Sequence, residues 1–283
     1  MAGSPAFFIF LMILLGLLIG SFLNVVVYRL PIMMEREWRL QCAELLGDPQ
    51  PAAGTPFNLM TPSSRCPTCD RPIKAYENIP VLSYLFMRGR CACGETSISP
   101  QYPLVEACTG VLSGIVAWRF GFGASTATAL LLTWALIALS IIDLKKQLLP
   151  DSITLPFLWL GIALALFGVF TDLKSSVIGA MAGYLSLWSV YQLFRLLTGK
   201  EGMGYGDFKL LAMLGAWQGW QYLIAIIIVS SLAGALVGIT LIVLRGRDRN
   251  IPMPFGPFLA AAGWITLLWG DTLNQLYLDW AGL

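Results

Sequence analysis

Two aspartates stand where aspartates are costly. Asp143 closes an apolar run in Ile141-Ile142-Asp143-Leu144-Lys145-Lys146, and Asp207 opens another in Gly204-Tyr205-Gly206-Asp207-Phe208-Lys209. Ionisable groups at membrane depth are expensive, and function is the default reading of one. A pair of carboxylates can hydrolyse a peptide bond unaided. One, ionised, activates a water; the other, protonated, polarises the carbonyl and gives its proton to the leaving amine. The competing reading makes each a helix terminus and nothing more. That reading has force for Asp207, because Asp is a preferred N-cap. It has little for Asp143, because the dipole at a helix C-terminus disfavours an anion. The same helix ends suggest Asp207 as base and Asp143 as acid. Lys145 and Lys146 pull the other way, and a proton shared by the pair is the alternative. Glycines before Asp207 let the backbone turn sharply and an extended substrate approach.

The chain has no histidine. Ser-His-Asp and Cys-His hydrolases are therefore excluded, and so are HExxH metalloproteases. Cysteine supplies the other reactive cluster. Cys66-Pro67-Thr68-Cys69 and Cys91-Ala92-Cys93 are two close pairs in a polar segment. In a reducing compartment they read as four thiolate ligands of a structural Zn2+, holding together a segment too poor in apolar residues for its own core. Free thiols are the alternative. Cys42 and Cys108 show no pairing pattern and read as packing residues.

The elements that must position these groups are apolar. The composition is 57% apolar and 12% charged, against about 25% charged in soluble domains. The predicted fold class is an all-α polytopic membrane protein with about eight transmembrane helices. Spans are expected at Phe7–Tyr28, Pro103–Phe120, Ala124–Ile142, Ile153–Phe170, Val177–Leu197, Tyr222–Leu244 and Pro252–Trp269, with a short helix at Phe208–Trp220. The last assignment is forced by length. Phe208–Leu244 as one helix would reach about 55 Å, against a hydrocarbon core of about 30 Å. The first run reads as a retained helix, because no basic residue precedes it and no small-residue cleavage site follows. The expected domains are 1–28, the first transmembrane helix; 29–101, a small cytoplasmic cysteine-containing domain of zinc-binding type; and 102–283, the transmembrane aspartyl peptidase domain. With the N-terminus outside, only Arg119 and Lys174 of the 18 basic residues fall outside. That split predicts a periplasmic N-terminus and a site facing the cytoplasm. The net charge of +2 gives no reason to expect nucleic acid as a partner.

The motifs resemble the type IV prepilin peptidase family, a membrane aspartyl protease group with a Gly-x-Gly-Asp motif. Gly20-Ser21-Phe22-Leu23-Asn24 through Arg29-Leu30-Pro31 is similar to its N-terminal motif. Glu77-Asn78-Ile79-Pro80 with Arg88-Gly89-Arg90-Cys91 resembles its cytoplasmic motif, and Ser99-Pro100-Gln101-Tyr102-Pro103 through Glu106 resembles the entry to its second span. Asp143 with Leu149-Pro150-Asp151, and Gly204 to Lys209, resemble its catalytic motifs. The resemblance implies a bifunctional enzyme of the bacterial inner membrane. It would remove the basic leader of type IV prepilins or type II secretion pseudopilins at the cytoplasmic face, then methylate the new N-terminus with S-adenosylmethionine. Asp143 and Asp207 match the catalytic positions, and Asp151 reads as a helix cap. Glu77 and Gly89 are candidates for the methyl-donor site by resemblance alone. The family's second cysteine pair is usually Cys-x-x-Cys, so Cys91-x-Cys93 departs from it by one residue. Two alternatives stay open: a peptidase without methylation, and a proton-coupled carrier.

Overall fold

The computed structural model describes residues 4–47, 56–63, 65, 66, 71–91, 93, 97–245 and 253–281. Among them the only regular elements are helices, with two isolated bridges at Arg65–Pro72 and Arg90–Ser97. The chain divides into two units, Met1–Phe122 and Gly123–Leu283.

The first unit is built on α1 (Pro5–Leu46) and α3 (Gln101–Phe120), with the short α2 (Leu82–Phe86) between them. At 42 residues α1 runs well past the Tyr28 end expected from hydropathy. The reason is composition. After Pro31 the chain is rich in Glu, Leu, Arg and Met, all strong helix formers, and an exposed Glu35–Arg39 pair at 2.6 Å supports one turn. The helix stops at Gly47, whose left-handed φ of 68° allows its N–H to bond the carbonyls of Ala43 and Glu44. Close packing of α1 on α3 comes from small residues: Gly16 lies on Thr109 and Ser113, and Gly20 on Glu106.

The second unit contains α4 (Ala124–Lys146), α5 (Asp151–Ala165), α6 (Leu173–Thr198), α7 (Tyr205–Gln218), α8 (Leu223–Arg245) and α9 (Gly256–Ala281). Helix α7 is its centre. Phe208, Leu210, Leu211, Met213, Leu214 and Trp217 are all buried, on every face of that helix. A helix apolar all round is stable only when enclosed, and α5, α6, α8 and α9 pack around this one. Helix α6 meets it backbone to backbone where Gly179 faces Gly215. Two side chains fix its far end: Trp217 Nε1 donates to the Phe157 carbonyl at 2.7 Å, and Ser176 Oγ donates to the Ala216 carbonyl at 2.6 Å.

Among the described residues four helices are long and apolar enough to cross a membrane: α1, α4, α6 and Trp220–Leu244. Their outward apolar side chains, such as Leu18, Leu196, Leu232 and Leu236, are exposed, as lipid contact requires. The chain is thus an all-α membrane protein. The other four expected spans are helices too, but fall outside that measure. With 15 and 14 residues, α5 and α7 are short. Helix α3 carries Glu106 and Arg119, and α9 is kinked at Trp269, where φ is −131°.

Candidate active site and cysteine cluster

Asp143 lies in the last turn of α4, which ends when Gln147 turns left-handed and its N–H bonds the Asp143 carbonyl at 2.8 Å. The chain then passes Leu149 into α5. Leu149 is the hub of the site. A β-carbon on Gly206 would lie 2.8 Å from Leu149 Cβ, and one on Gly256 would lie 3.2 Å from Leu149 Cδ2. The starts of α7 and α9 therefore close on one side chain beside the end of α4. Asp207, one residue after Gly206, is in the first turn of α7. The two aspartates are both buried, 6% and 8% exposed.

Their surroundings differ. Asp143 Oδ2 accepts the Gly256 N–H at 3.0 Å, from the first residue of α9. A helix N-terminus presents unpaired N–H groups and a positive dipole end, and it favours an anion. Any side chain at position 256 would occupy that contact, because a β-carbon would lie 2.6 Å from Oδ2. Asp207 Oδ1 is buried with no hydrogen-bond partner among the described residues. Such a group is normally satisfied, and an exception needs a reason. The first turn of α7 is held by rings: Tyr205 packs on Tyr191 at 5.5 Å and on Phe208 at 5.4 Å between centroids.

Asp151 is not a cap. Helix α5 takes Pro150 as its N-cap residue, and Asp151 is already inside the first turn. Both its oxygens accept from Lys209 Nζ, at 2.8 and 2.7 Å, joining α5 to α7 two residues beyond Asp207.

In the first unit Cys66, Cys91 and Cys93 come together, with sulfurs all within 4.8 Å of one another. Thiolates around a tetrahedral Zn2+ stand about 3.8 Å apart, from a Zn–S distance of about 2.3 Å. The cluster could hold a metal ion, and the short Cys91-x-Cys93 spacing delivers both thiols. Cys69 lies outside the described residues. Cys42 and Cys108 are exposed, so the packing role expected of them does not hold.

Glu77 and Gly89 belong to the same segment, Glu77 in a 3-10 turn at Ala75–Asn78. Glu77 Oε1 accepts from Arg71 at 2.7 Å and Oε2 from the Lys74 N–H at 3.0 Å. These bonds, the backbone one first, hold the carboxyl below the usual carboxylate range. Gly89 has a φ of 69° and lies on the Tyr84 ring; its N–H bonds the Tyr84 carbonyl at 2.9 Å. Both residues shape the segment, and neither carboxylate oxygen of Glu77 is left open.

Known proteins carry the same plan. The family model "Bacterial Peptidase A24 N-terminal domain" matches residues 14–120, and that of the "Type IV leader peptidase family" matches 130–239. A prepilin leader peptidase/N-methyltransferase of Stutzerimonas stutzeri is 55% identical over 283 residues, covering 100% of this chain and 98% of its own. The chain belongs to the type IV leader peptidase family. A second relative of the same name, from Pseudomonas aeruginosa, is 55% identical over 100% of this chain and 97% of its own. A third, from Dichelobacter nodosus, is 53% identical over 95% and 94%. No solved structure matches significantly. The leader peptidase segment contains both aspartates, and the N-terminal family segment contains the cysteine cluster.

Sequence reasoning singled out the aspartates and the cysteines, and it placed Leu149 only within a motif. It gave no role to Gly256. A helix start was visible in Pro254-Phe255-Gly256-Pro257, since proline suits a first helical turn. Its partner, far earlier in the chain, was not.

Proposed function

We propose that this chain is a prepilin leader peptidase and N-methyltransferase. It removes the leader of type IV prepilins or type II secretion pseudopilins, then methylates the new N-terminus. One observation carries the reading: Asp143 and Asp207, in the segment shared with the leader peptidases, are buried together beside the start of α9. Family membership leaves the carrier reading without support. The relatives' names carry both activities, which favours retained methylation.

In the cleavage step one carboxylate takes a proton from water, and the hydroxide attacks the scissile carbonyl. The other donates a proton to the leaving amine. Helix ends in the sequence favoured Asp207 as base. The Gly256 N–H favours the reverse: Asp143 holds the charge, and Asp207, with a bare buried oxygen, holds the proton and meets the carbonyl.

The first unit is assigned to methyl transfer. S-adenosylmethionine supplies the methyl group there. Glu77 and Gly89 act by shaping the 71–91 segment. Cys66, Cys69, Cys91 and Cys93 would hold a structural Zn2+. Residues 29–101 form the cytoplasmic domain of a bacterial inner-membrane protein with eight transmembrane helices and a periplasmic N-terminus, the orientation that keeps basic loops inside.

The test is mass spectrometry of a prepilin incubated with purified protein in detergent, with and without the methyl donor. Leader loss in both, with one added methyl only when the donor is present, is the expected result. An intact prepilin with folded enzyme would falsify the peptidase reading. Cleavage without methylation would leave a peptidase alone.

A further inference from the structure

Buried polar side chains on α1 and α3 grip the backbone of the segment between those helices. Arg29 donates to the carbonyls of Asn58 and Pro62, at 2.9 and 2.6 Å. Glu106, 7% exposed, accepts the Val81 N–H at 2.8 Å. Ser21 lies beside the Glu106 carboxylate. Gly20 allows this closeness: a β-carbon there would lie 2.7 Å from Glu106 Cα.

Val81 is the anomaly. Its φ is 59° and its ψ is −47°. A β-branched residue in left-handed backbone is a true outlier, because its side chain crowds the backbone. Such strain persists only where surroundings over-determine it, and it collects at functional sites. Two more left-handed residues follow, Arg88 with φ 51° and Gly89 with φ 69°. All three flank α2, between the Glu77 turn and Cys91. Both aspartates lie in the other unit.

We propose that Glu106 is a latch for methyl transfer. It holds Val81 in its left-handed conformation and so sets the 77–91 loop in the shape that receives the methyl donor. The role rests on the assignment of methyl transfer to the first unit. Glu106 is a positioning residue: it touches backbone, not the reacting atoms.

Full-length protein with Glu106→Ala tests this. The rate of methylation should fall about tenfold or more, the rate equivalent of a released strained residue, while leader removal stays within about twofold. Glu106→Gln keeps a carbonyl oxygen for the Val81 N–H and should restore methylation. Val81→Gly on the Glu106→Ala background should restore it in part, because glycine takes positive φ without penalty. Hydrogen exchange without the donor gives an activity-free readout. Amides 77–91 should lose protection in Glu106→Ala while amides 205–218 keep theirs.

Unchanged methylation and exchange in Glu106→Ala would overturn the latch. So would an equal loss of cleavage and methylation, which marks a general folding role. Loss of methylation that neither Gln nor the Val81→Gly change restores would place Glu106 in the chemistry, and overturn the latch as well. A wild-type protein that cleaves and never methylates overturns the methyl-transfer reading beneath it.

Discussion

At the residue scale, the proposed site consists of two acids made unequal by one backbone N–H. Replacing either acid should abolish cleavage without unfolding the protein. Asp143→Asn and Asp207→Asn should each slow leader removal by about 10²–10⁴-fold. The double variant should be little worse than either single one, because the pair acts as a unit. Additive losses in single-turnover assays would mean two independent roles. Gly256→Ala tests the inequality itself. Its β-carbon would fall 2.6 Å from Asp143 Oδ2, so cleavage should drop by about 10–100-fold with little change in melting temperature, since displacing a catalytic group by about 1 Å has that cost. The aspartates were legible in the sequence because charge in apolar runs stands out. Gly256 was not legible: its contribution is a backbone N–H, which every residue but proline has, and its partner is 113 positions away.

At the scale of elements, α7 shows how far length alone carries an argument. The 37-residue apolar stretch was too long for one span and too short for two, and the short helix expected there exists at Tyr205–Gln218. Its enclosure was legible only as all-round apolarity. In α1 hydropathy marks the end of the apolar run, and the helix continues beyond it on propensity. The α6–α7 seam should tolerate no added volume. Gly215→Leu would drive a side chain into the Gly179 carbonyl, costing about 1–3 kcal/mol as overpacking and displacing Asp207 with α7. Thermal unfolding and cleavage assays should both register it; a stable, active variant would show that the seam yields. The 71–78 turn makes a different prediction, in pH. Glu77 titrates below its ordinary value when folded, through the Lys74 N–H and Arg71. A depressed folded pKa contributes stability above the unfolded value, which is lost as pH falls through the folded one. Hydrogen-exchange protection at Lys74 and Glu77 should therefore hold at about pH 5 and fade below about pH 4. Arg71→Ala should move that loss upward; protection indifferent to both pH and Arg71 would sink the assignment.

At the scale of the whole molecule, the proposed function divides two chemistries between the two units, each with its own means of holding shape. The second unit carries a packed apolar core around α7, and its site hangs from three helix ends. The segment after α1 has little apolar interior. Among its described residues it is held by Arg29, Glu106, the Arg71–Glu77 pair and three clustered thiols. A metal there should contribute to folding the segment, as structural zinc does in small domains. Removing it should therefore separate the two activities. Purified protein should contain about one zinc per chain, and a chelator strong enough to strip it should loosen the segment and abolish methylation. Leader removal should survive, because Asp143, Asp207 and Gly256 belong to the other unit. Elemental analysis, paired with the two assays on one sample, reads all three quantities. If cleavage falls in proportion to zinc lost, the metal supports the peptidase too, and the division of labour is wrong. If zinc is absent while methylation proceeds, the thiols are free, and the polar grips of α1 and α3 suffice to hold the segment.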